Sequence, residues 1–404
     1  VNVLLIAYAC EPGKGSEQGT GWNLATRLAD RHKVTVVTRS NNREVIEAAG
    51  EKPGLSFRYH DLPPRFLRWK SRGWLPVQVY YALWLLTLSR RIDGEKAFQN
   101  HDLVHHLTFN SFEIPPLFLR RAKGLKVWGP VGGGQVPVAG LRRCLGGSAA
   151  RREWLRGLRV AASAHNPWLR STLRACDLVL FANTETSDRM ADACTGRTAI
   201  LVDVGVDPQR FPPSARSGDG RRILFAGKFE PRKGVNLLLE AFQQALTLDS
   251  GLRLTLVGDG PGLAAAKDRV SALGIAAKVV FSGRKTHEEM AAEFSNADVF
   301  VFPSVRDTSG AIVLEAMASG LPTICLDHQG ARLMVDEECG IRVPATGGAG
   351  TVNGLAQAIA RLAADPAART SMGARARERA VSNFSWESKA AFLLAEYEAI
   401  LAAE

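Results

Sequence analysis

Short apolar runs alternate along this chain with longer stretches whose apolar residues recur at helical spacing. In the first half the runs are VNVLLIAY (1–8), KVTVVT (33–38), LSFRYH (55–60), DLVHHL (102–107), LKVWG (125–129), DLVLFA (177–182) and TAILVD (198–203). In the second half they are RRILFAG (221–227), LRLTLVG (252–258), KVVFSG (278–283), DVFVFP (298–303), PTICLD (322–327) and GIRVP (340–344). Between them lie helix-period stretches such as GVNLLLEAFQQAL (234–246) and GAIVLEAMASG (310–320). Apolar runs with little alternation are buried on both faces, so the pattern predicts an α/β fold of parallel sheets with helices on either side. Gly205-Val206-Asp207-Pro208 and the polar stretch 212–222 mark a linker, which places a first domain at 1–204 and a second after it. Two such sheets are expected to face each other across a cleft, with ligands beyond the carboxyl ends of the strands.

A length of 404 residues agrees with two domains of roughly 100–200 residues each. Hydrophobic residues at 46% and charged residues at 23% exclude a wholly disordered chain. No uncharged apolar stretch reaches the roughly 18 residues of a membrane-spanning helix. The first residues lack the basic leader of a secretory signal. Six cysteines (Cys10, Cys144, Cys176, Cys194, Cys325, Cys339) form neither a Cys-x-x-Cys pair nor a zinc-spaced cluster. Free thiols in a reducing, cytoplasmic compartment are expected.

The charge is uneven. Residues 1–200 carry 29 Lys and Arg against 16 Asp and Glu, so the whole net charge of +11 sits in the first half. An anionic partner is one explanation: nucleic acid, an acidic lipid headgroup or a phosphate-bearing substrate. An arginine-rich composition without functional meaning is the other.

Three elements of the second half carry chemistry. GKFEPRKG (227–234) follows an apolar run directly, and its cations Lys228, Arg232 and Lys233 suit a diphosphate at the start of a helix. In PSVRDTSGAIVLEAMASGLP (303–322), Asp307 and Glu315 are eight apart. With a helix starting near Gly310, Asp307 lies in the preceding loop and Glu315 one and a half turns inside. The backbone N–H groups of Ser309, Gly310 and Ala311 then face ligand oxygens, and the carboxylates suit vicinal hydroxyls. LTLVGDGPG (254–262) is a strand followed by a glycine turn, by itself an ordinary connection.

The order strand–GKxxxxKG, strand–VGDGP, VFSGR, then FPS, Asp307, seven residues and Glu315–AMASGLP resembles the donor domain of the retaining family-4 glycosyltransferases of GT-B fold. The resemblance extends over nearly the whole chain. It implies two Rossmann-like α/β domains facing across a cleft, an acceptor-binding domain at 1–204 and a nucleotide-sugar domain at 205–382. The segment 383–404 is then a closing helix that returns to the first domain.

Residue by residue, the resemblance implies that Lys228 and Lys233 hold the donor diphosphate in place of a metal. Asp307 touches the donor sugar and Glu315 the nucleotide ribose. The family more often has Arg at the first cation and Glu at the first carboxylate, and Gly-Phe-Gly where Thr308-Ser309-Gly310 stands. Arg284 falls where the base is met. Gly15 and Ser16 occupy the family's Gly-Gly loop beside the donor phosphate, with Ser16 in an ordinary backbone conformation. His106, rather than His105, is expected near the reacting sugar, since alternation along DLVHH puts it on the face nearest the loop. A buried structural histidine is the alternative. The glycines of WGPVGGGQ (128–135) face the acceptor or simply permit close packing.

Transfer in the family is described as a front-face displacement in which the leaving diphosphate takes the acceptor proton. Stabilisation of the leaving group and positioning are therefore what the protein must supply. No Asp-x-Asp is present, so no metal and no cofactor beyond the nucleotide sugar are expected. UDP is favoured as the nucleotide, with GDP as alternative. The acceptor is a saccharide, a lipid-linked saccharide or a small molecule. Stretches 65–91 and 151–174 mix arginines with tryptophans, which suits contact with an anionic membrane or, equally, core helices with a solvated face. An inactive sugar-nucleotide-binding subunit and a nucleotide-sugar epimerase remain alternatives. A dehydrogenase is excluded by the lack of Gly-x-Gly-x-x-Gly with a following strand-end acid, and nucleic-acid binding lacks a reader motif.

Overall fold

The structure is a computed structural model and describes residues 1–73, 75–94, 100–109, 111–213 and 218–403, with the side chains of Asp93 and Arg143 left aside. Trp74 and Asn110, in stretches singled out above, and residues 214–217 of the expected linker lie outside the described residues. The chain divides into two compact units. Unit 1 comprises residues 1–134, 159–204 and 386–404; unit 2 comprises 135–158 and 205–385.

Unit 1 is built on a seven-stranded parallel sheet: β1 (Asn2–Ala7), β2 (Lys33–Thr38), β3 (Leu55–Tyr59), β4 (Leu103–Thr108), β5 (Leu125–Val131), β6 (Leu178–Phe181) and β7 (Arg197–Ile200). Their order is β3-β2-β1-β4-β5-β6-β7. Central β4 is buried at all six positions, whereas the edge strand β3 alternates between half-buried and exposed, as one covered face requires. One face of the sheet packs its Val3, Leu5 and Val36 against helices Ser16–Leu28 and Trp386–Leu401, which contribute Leu24, Leu28, Leu393 and Tyr397. Helix Val77–Gly94 buries Tyr80, Tyr81, Trp84, Leu85 and Leu88. The apolar part of the stretch 65–91 is therefore a core helix.

Unit 2 holds six parallel strands: β8 (Arg222–Ala226), β9 (Arg253–Val257), β10 (Val279–Gly283), β11 (Val299–Phe302), β12 (Thr323–Leu326) and β13 (Gly340–Val343), in the order β10-β9-β8-β11-β12-β13. Helices Val235–Leu248 and Gly348–Ala364 meet in its core through Leu238, Phe242, Leu355 and Ile359, all fully buried. Burying a side chain such as Phe242 contributes about 2–3 kcal/mol. Each of the thirteen apolar runs in the sequence overlaps one of these thirteen strands. In both sheets the order reverses beside the first strand, between β1 and β4 and between β8 and β11, where doubly wound sheets hold ligands.

Residues 135–158, drawn from sequence into the first domain, pack with unit 2. The bidentate pair Glu153–Arg306 (2.7 and 2.8 Å), the Gln135 amide on the Thr308 hydroxyl (2.9 Å) and the Gln329 amide on the Val136 carbonyl (3.3 Å) fasten them there. The tail helix begins after Ser385 and completes the unit 1 core. All six cysteines are free thiols; four are buried and Cys144 and Cys194 are half-buried.

Candidate functional site

In unit 2 the loop after β8 turns at Gly234, whose φ of 73° and whose approach to the Pro303 carbonyl leave no space for a Cβ. This contact brings the loop against the end of β11, and Lys233 forms an ion pair with Asp307. Arg232 lies 3.6 Å from the same carboxylate and donates to Glu230 at 2.7 Å. The Asp307 amide donates to the Gln329 side chain at 2.7 Å. Thus three of the residues expected from sequence are joined by partners that the sequence did not single out. Lys228, by contrast, is exposed and forms no ion pair among the described residues.

The helix after this loop spans Ala311–Ala318, with Gly310 as its N-cap at φ 97°. The N–H groups of Gly310 and Ala311 meet no acceptor among the described residues, as the unpaired first turn of a helix leaves them. Ser309 is buried. Glu315, one and a half turns in, is 8% exposed. Burial pushes its carboxyl up to about 7, with Arg210 pulling the other way, and His287 Nδ1 lies 3.8 Å from it. Arg284 follows edge strand β10 and is exposed. Gly258 after β9 sits at φ 134° against the Gly227 carbonyl, so the glycine turn of VGDGPG sets the height of the Lys228 loop.

In unit 1 the helix Ser16–Leu28 starts from Gly15, and Ser16 has a φ of 56°. The expectation of ordinary backbone at Ser16 is therefore wrong. The turn demands a left-handed residue, and without a glycine it carries about 1–2 kcal/mol of strain. Phe109 after β4 (φ 62°) shares this conformation, as does Gln329 after β12 in unit 2 (φ 55°). Phe109 N–H donates to the carboxylate of the next helical residue, Glu17, at 2.9 Å. Burial, then the charge of Asp203, push the Glu17 carboxyl up to about 7, against the lowering effect of that hydrogen bond.

The two histidines of β4 lie on opposite faces, and both are wholly buried. His105 bonds the Tyr397 hydroxyl (2.5 Å) and the Gly129 carbonyl (2.7 Å), which accounts for it as a structural residue. His106 Nε2 meets the Tyr81 hydroxyl at 2.6 Å, and its Nδ1 has no partner among the described residues. Burial, then the neighbouring His105, pull the His106 pKa down to about 3, so it is neutral at ordinary pH. It cannot work by gaining and losing a proton near pH 7. Sequence reasoning passed over Glu17, Tyr81 and Phe109; they meet only because the ends of β1 and β4 are adjacent. Among the described residues no cluster of His, Cys, Asp or Glu has a metal-holding arrangement.

The family described as glycosyl transferases group 1 matches residues 207–379. The chain is 31% identical over 279 residues to the GDP-mannose-dependent alpha-(1-6)-phosphatidylinositol monomannoside mannosyltransferase of Mycolicibacterium smegmatis, covering 61% of this chain and 71% of that one. It is 32% identical over 254 residues to a GDP-mannose-dependent alpha-mannosyltransferase of Mycobacterium tuberculosis, covering 60% of this chain and 62% of that one. Among solved structures, sucrose-phosphate synthase from Thermosynechococcus elongatus aligns over 100% of both chains with a TM-score of 0.70 at 22% identity. Anabaena HepE in complex with UDP aligns over 99% of this chain and all of that one, with a TM-score of 0.65 at 15% identity. These likenesses establish the GT-B fold.

Proposed function

This chain belongs to the group 1 glycosyltransferases, and we propose that it moves a sugar from a nucleotide-sugar donor to a hydroxyl of a saccharide, lipid-linked saccharide or small acceptor, with retention at the anomeric carbon and without a metal. The observation that carries this reading is the joined set Lys233–Asp307–Arg232 beside the open N–H groups of Gly310 and Ala311. It supplies fixed positive charge where a leaving diphosphate gains negative charge, the task a bound cation performs elsewhere. Lys228, exposed and without an ion pair among the described residues, adds a further cation.

In the reaction the acceptor oxygen bonds to the anomeric carbon on the face that the diphosphate leaves. The bond from that carbon to the diphosphate oxygen breaks, and the hydroxyl proton passes to the departing diphosphate. No protein nucleophile is needed. Asp307, held by two cations and the Gln329 side chain, orients the sugar hydroxyls. Glu315 receives the ribose hydroxyls and Arg284 lies beside the base. Unit 1 receives the acceptor. The relatives at 31% and 32% identity carry GDP-mannose in their names, which sets GDP-mannose beside the UDP sugars favoured from sequence.

We further place the chain at the inner face of an anionic membrane. Helix Pro64–Ser71 buries none of its residues and exposes Leu67 and Trp69 beside Arg65 and Arg68, and helix Gly147–Ala164 exposes Trp154, Leu155 and Leu158. No described helix is long and apolar enough to cross a membrane.

A panel of UDP and GDP sugars, assayed for nucleotide release in EDTA with and without anionic vesicles and lipid extract, tests the reading. Release from one donor in EDTA is expected, with the product anomer matching the donor. Activity that disappears in EDTA removes metal independence. A folded chain that binds a donor and never turns it over would be the inactive subunit instead.

A further inference from the structure

At the carboxyl end of the unit 1 sheet, Tyr8 follows β1 and Phe109 follows β4, so both flank the point where the strand order reverses, and Arg39 follows the next strand, β2. The Tyr8 ring is enclosed by Tyr81, Trp84 and Phe109 at centroid distances of 5.1, 5.2 and 5.1 Å, leaving the residue 3% exposed. Two cations also meet it. The Arg39 guanidinium stands 4.3 Å from the ring centroid, and Lys70 Nζ stands 5.9 Å from it and 4.6 Å from the Tyr80 ring.

Neither cation forms a salt bridge among the described residues. Arg39 donates Nε–H to the Tyr8 carbonyl at 3.1 Å, and Lys70 reaches the Tyr8 hydroxyl at 3.4 Å. The carboxylate acting on Lys70, Asp61, accepts the Ser40 amide at 2.8 Å instead. Desolvation first, then repulsion by Arg39, pull the Lys70 pKa below its ordinary value, with Asp61 opposing. Two half-buried cations sharing one ring, without a counter-ion in contact, form an arrangement that an anion stabilises. A guanidinium fork beside an ammonium suits phosphate oxygens, and the half-buried Phe109 ring beside them suits the carbon face of a cyclic polyol.

We propose that Arg39, Lys70 and the Tyr8 hydroxyl form a phosphate-binding site, and that the acceptor is a cyclic polyol or sugar carrying a phosphate ester. The inference rests on the transferase reading and names its acceptor class. The same phosphate chemistry is met in a soluble monoester and in a phospholipid headgroup, so both are tested.

With the donor identified in the panel above, the full-length chain is given glucose, glucose 6-phosphate, glucuronate, inositol, inositol monophosphate and phosphatidylinositol in detergent micelles. Binding of each to the chain is followed in parallel by titration calorimetry. Phosphorylated members are expected to bind and to be used at least about tenfold better than their neutral partners, the worth of a charge-assisted hydrogen bond or two. Preference for the monoesters identifies a soluble acceptor, and preference for the micellar lipid identifies a headgroup; either supports the site. Lys70→Met and Arg39→Gln should each raise KM for the phosphorylated acceptor about tenfold, Lys70→Arg should restore most of it, and the exposed Arg90→Gln should do nothing. Unfolding curves establish that the variants fold. Equal use of neutral members, equal use of glucuronate, or indifference to Lys70→Met overturns the phosphate site while leaving the transferase intact. A chain that releases nucleotide with no donor overturns the transferase reading itself, and calorimetry with glucose 6-phosphate then decides the anion site alone.

Discussion

At the carboxyl end of the unit 2 sheet, Lys233 and Arg232 both reach Asp307, and Arg232 also holds Glu230. At the corresponding end of the unit 1 sheet, Arg39 and Lys70 lie over tyrosine rings instead of carboxylates. Beside them are groups that burial keeps neutral, His106 and, below about pH 7, Glu17. Both sheets have the same parallel, reversed strand order, so the backbone does not cause this difference. An ion pair fixes the geometry of a cation but shares its charge, whereas a ring fixes a cation and leaves its charge for a ligand. The first arrangement suits a group that must be placed before bond breaking; the second suits recognition.

Lys233→Ala should give the largest effect, because it removes the fixed cation and leaves the half-buried Asp307 carboxylate with Arg232 as its one remaining cation among the described residues. A fall of about a hundred- to a thousandfold in kcat/KM for the nucleotide sugar is expected, the usual loss on deleting one stabiliser of a developing anion. Lys228→Ala, which removes an exposed cation with no ion pair among the described residues, should cost about tenfold or less. Equal losses in the two variants would remove the distinction between fixed and free charge within unit 2.

On the proposed reading, in which the Glu315 carboxylate receives two ribose hydroxyls, Glu315→Gln should weaken nucleotide binding about tenfold. Burial raises the Glu315 pKa to about 7, so ionisation and hence nucleotide affinity should increase in the native chain between pH 6 and 8. In the variant the profile should be flatter. Titration calorimetry at the two pH values measures both, and an unchanged slope would detach the pH dependence from this carboxyl.

The smallest effect concerns unit 1 and stability. The folded pKa of Glu17, about 7, lies above its ordinary value of 4.5, so the folded chain holds more protons than the unfolded one between these values. The stability contributed by the protonated group is complete below 4.5 and is lost as pH rises through 7. Glu17→Gln, which keeps the oxygen that accepts Phe109 N–H, should therefore stabilise the chain by about 1 kcal/mol at pH 8 and hardly at pH 4.5. Urea unfolding at both values decides, and a gain at pH 4.5 as large as at pH 8 would mean that the Glu17 charge is not what burial penalises.

The contrast between the units also explains what could be read from sequence. Strand positions were legible because runs such as LVHHL and VFVF are buried on both faces. That Lys233 and Asp307 come together was legible because each stands at a fixed offset from a strand end, and their spacing resembled a known family. The segment 135–158 was not: Glu153 and Arg306 are 153 residues apart, and no local pattern announces their pairing. Nor was the environment of Tyr8, whose partners come from four separate parts of the chain. Ser16 was misread because serine adopts a left-handed φ only under tertiary constraint, here with Glu17 held by Phe109.

The helix Trp386–Leu401 places Trp386, Ala390, Leu393, Tyr397 and Ile400 inside the unit 1 core, and its Tyr397 hydroxyl satisfies His105. A ribosome therefore delivers the first strands early and their last core helix only after all of unit 2 has been synthesised. Until then the nascent sheet carries an uncovered apolar face and an imidazole bonded at only one of its nitrogens. Unit 2, contiguous but for residues 135–158, can close first, so the part of the protein that is translated first is the last to mature.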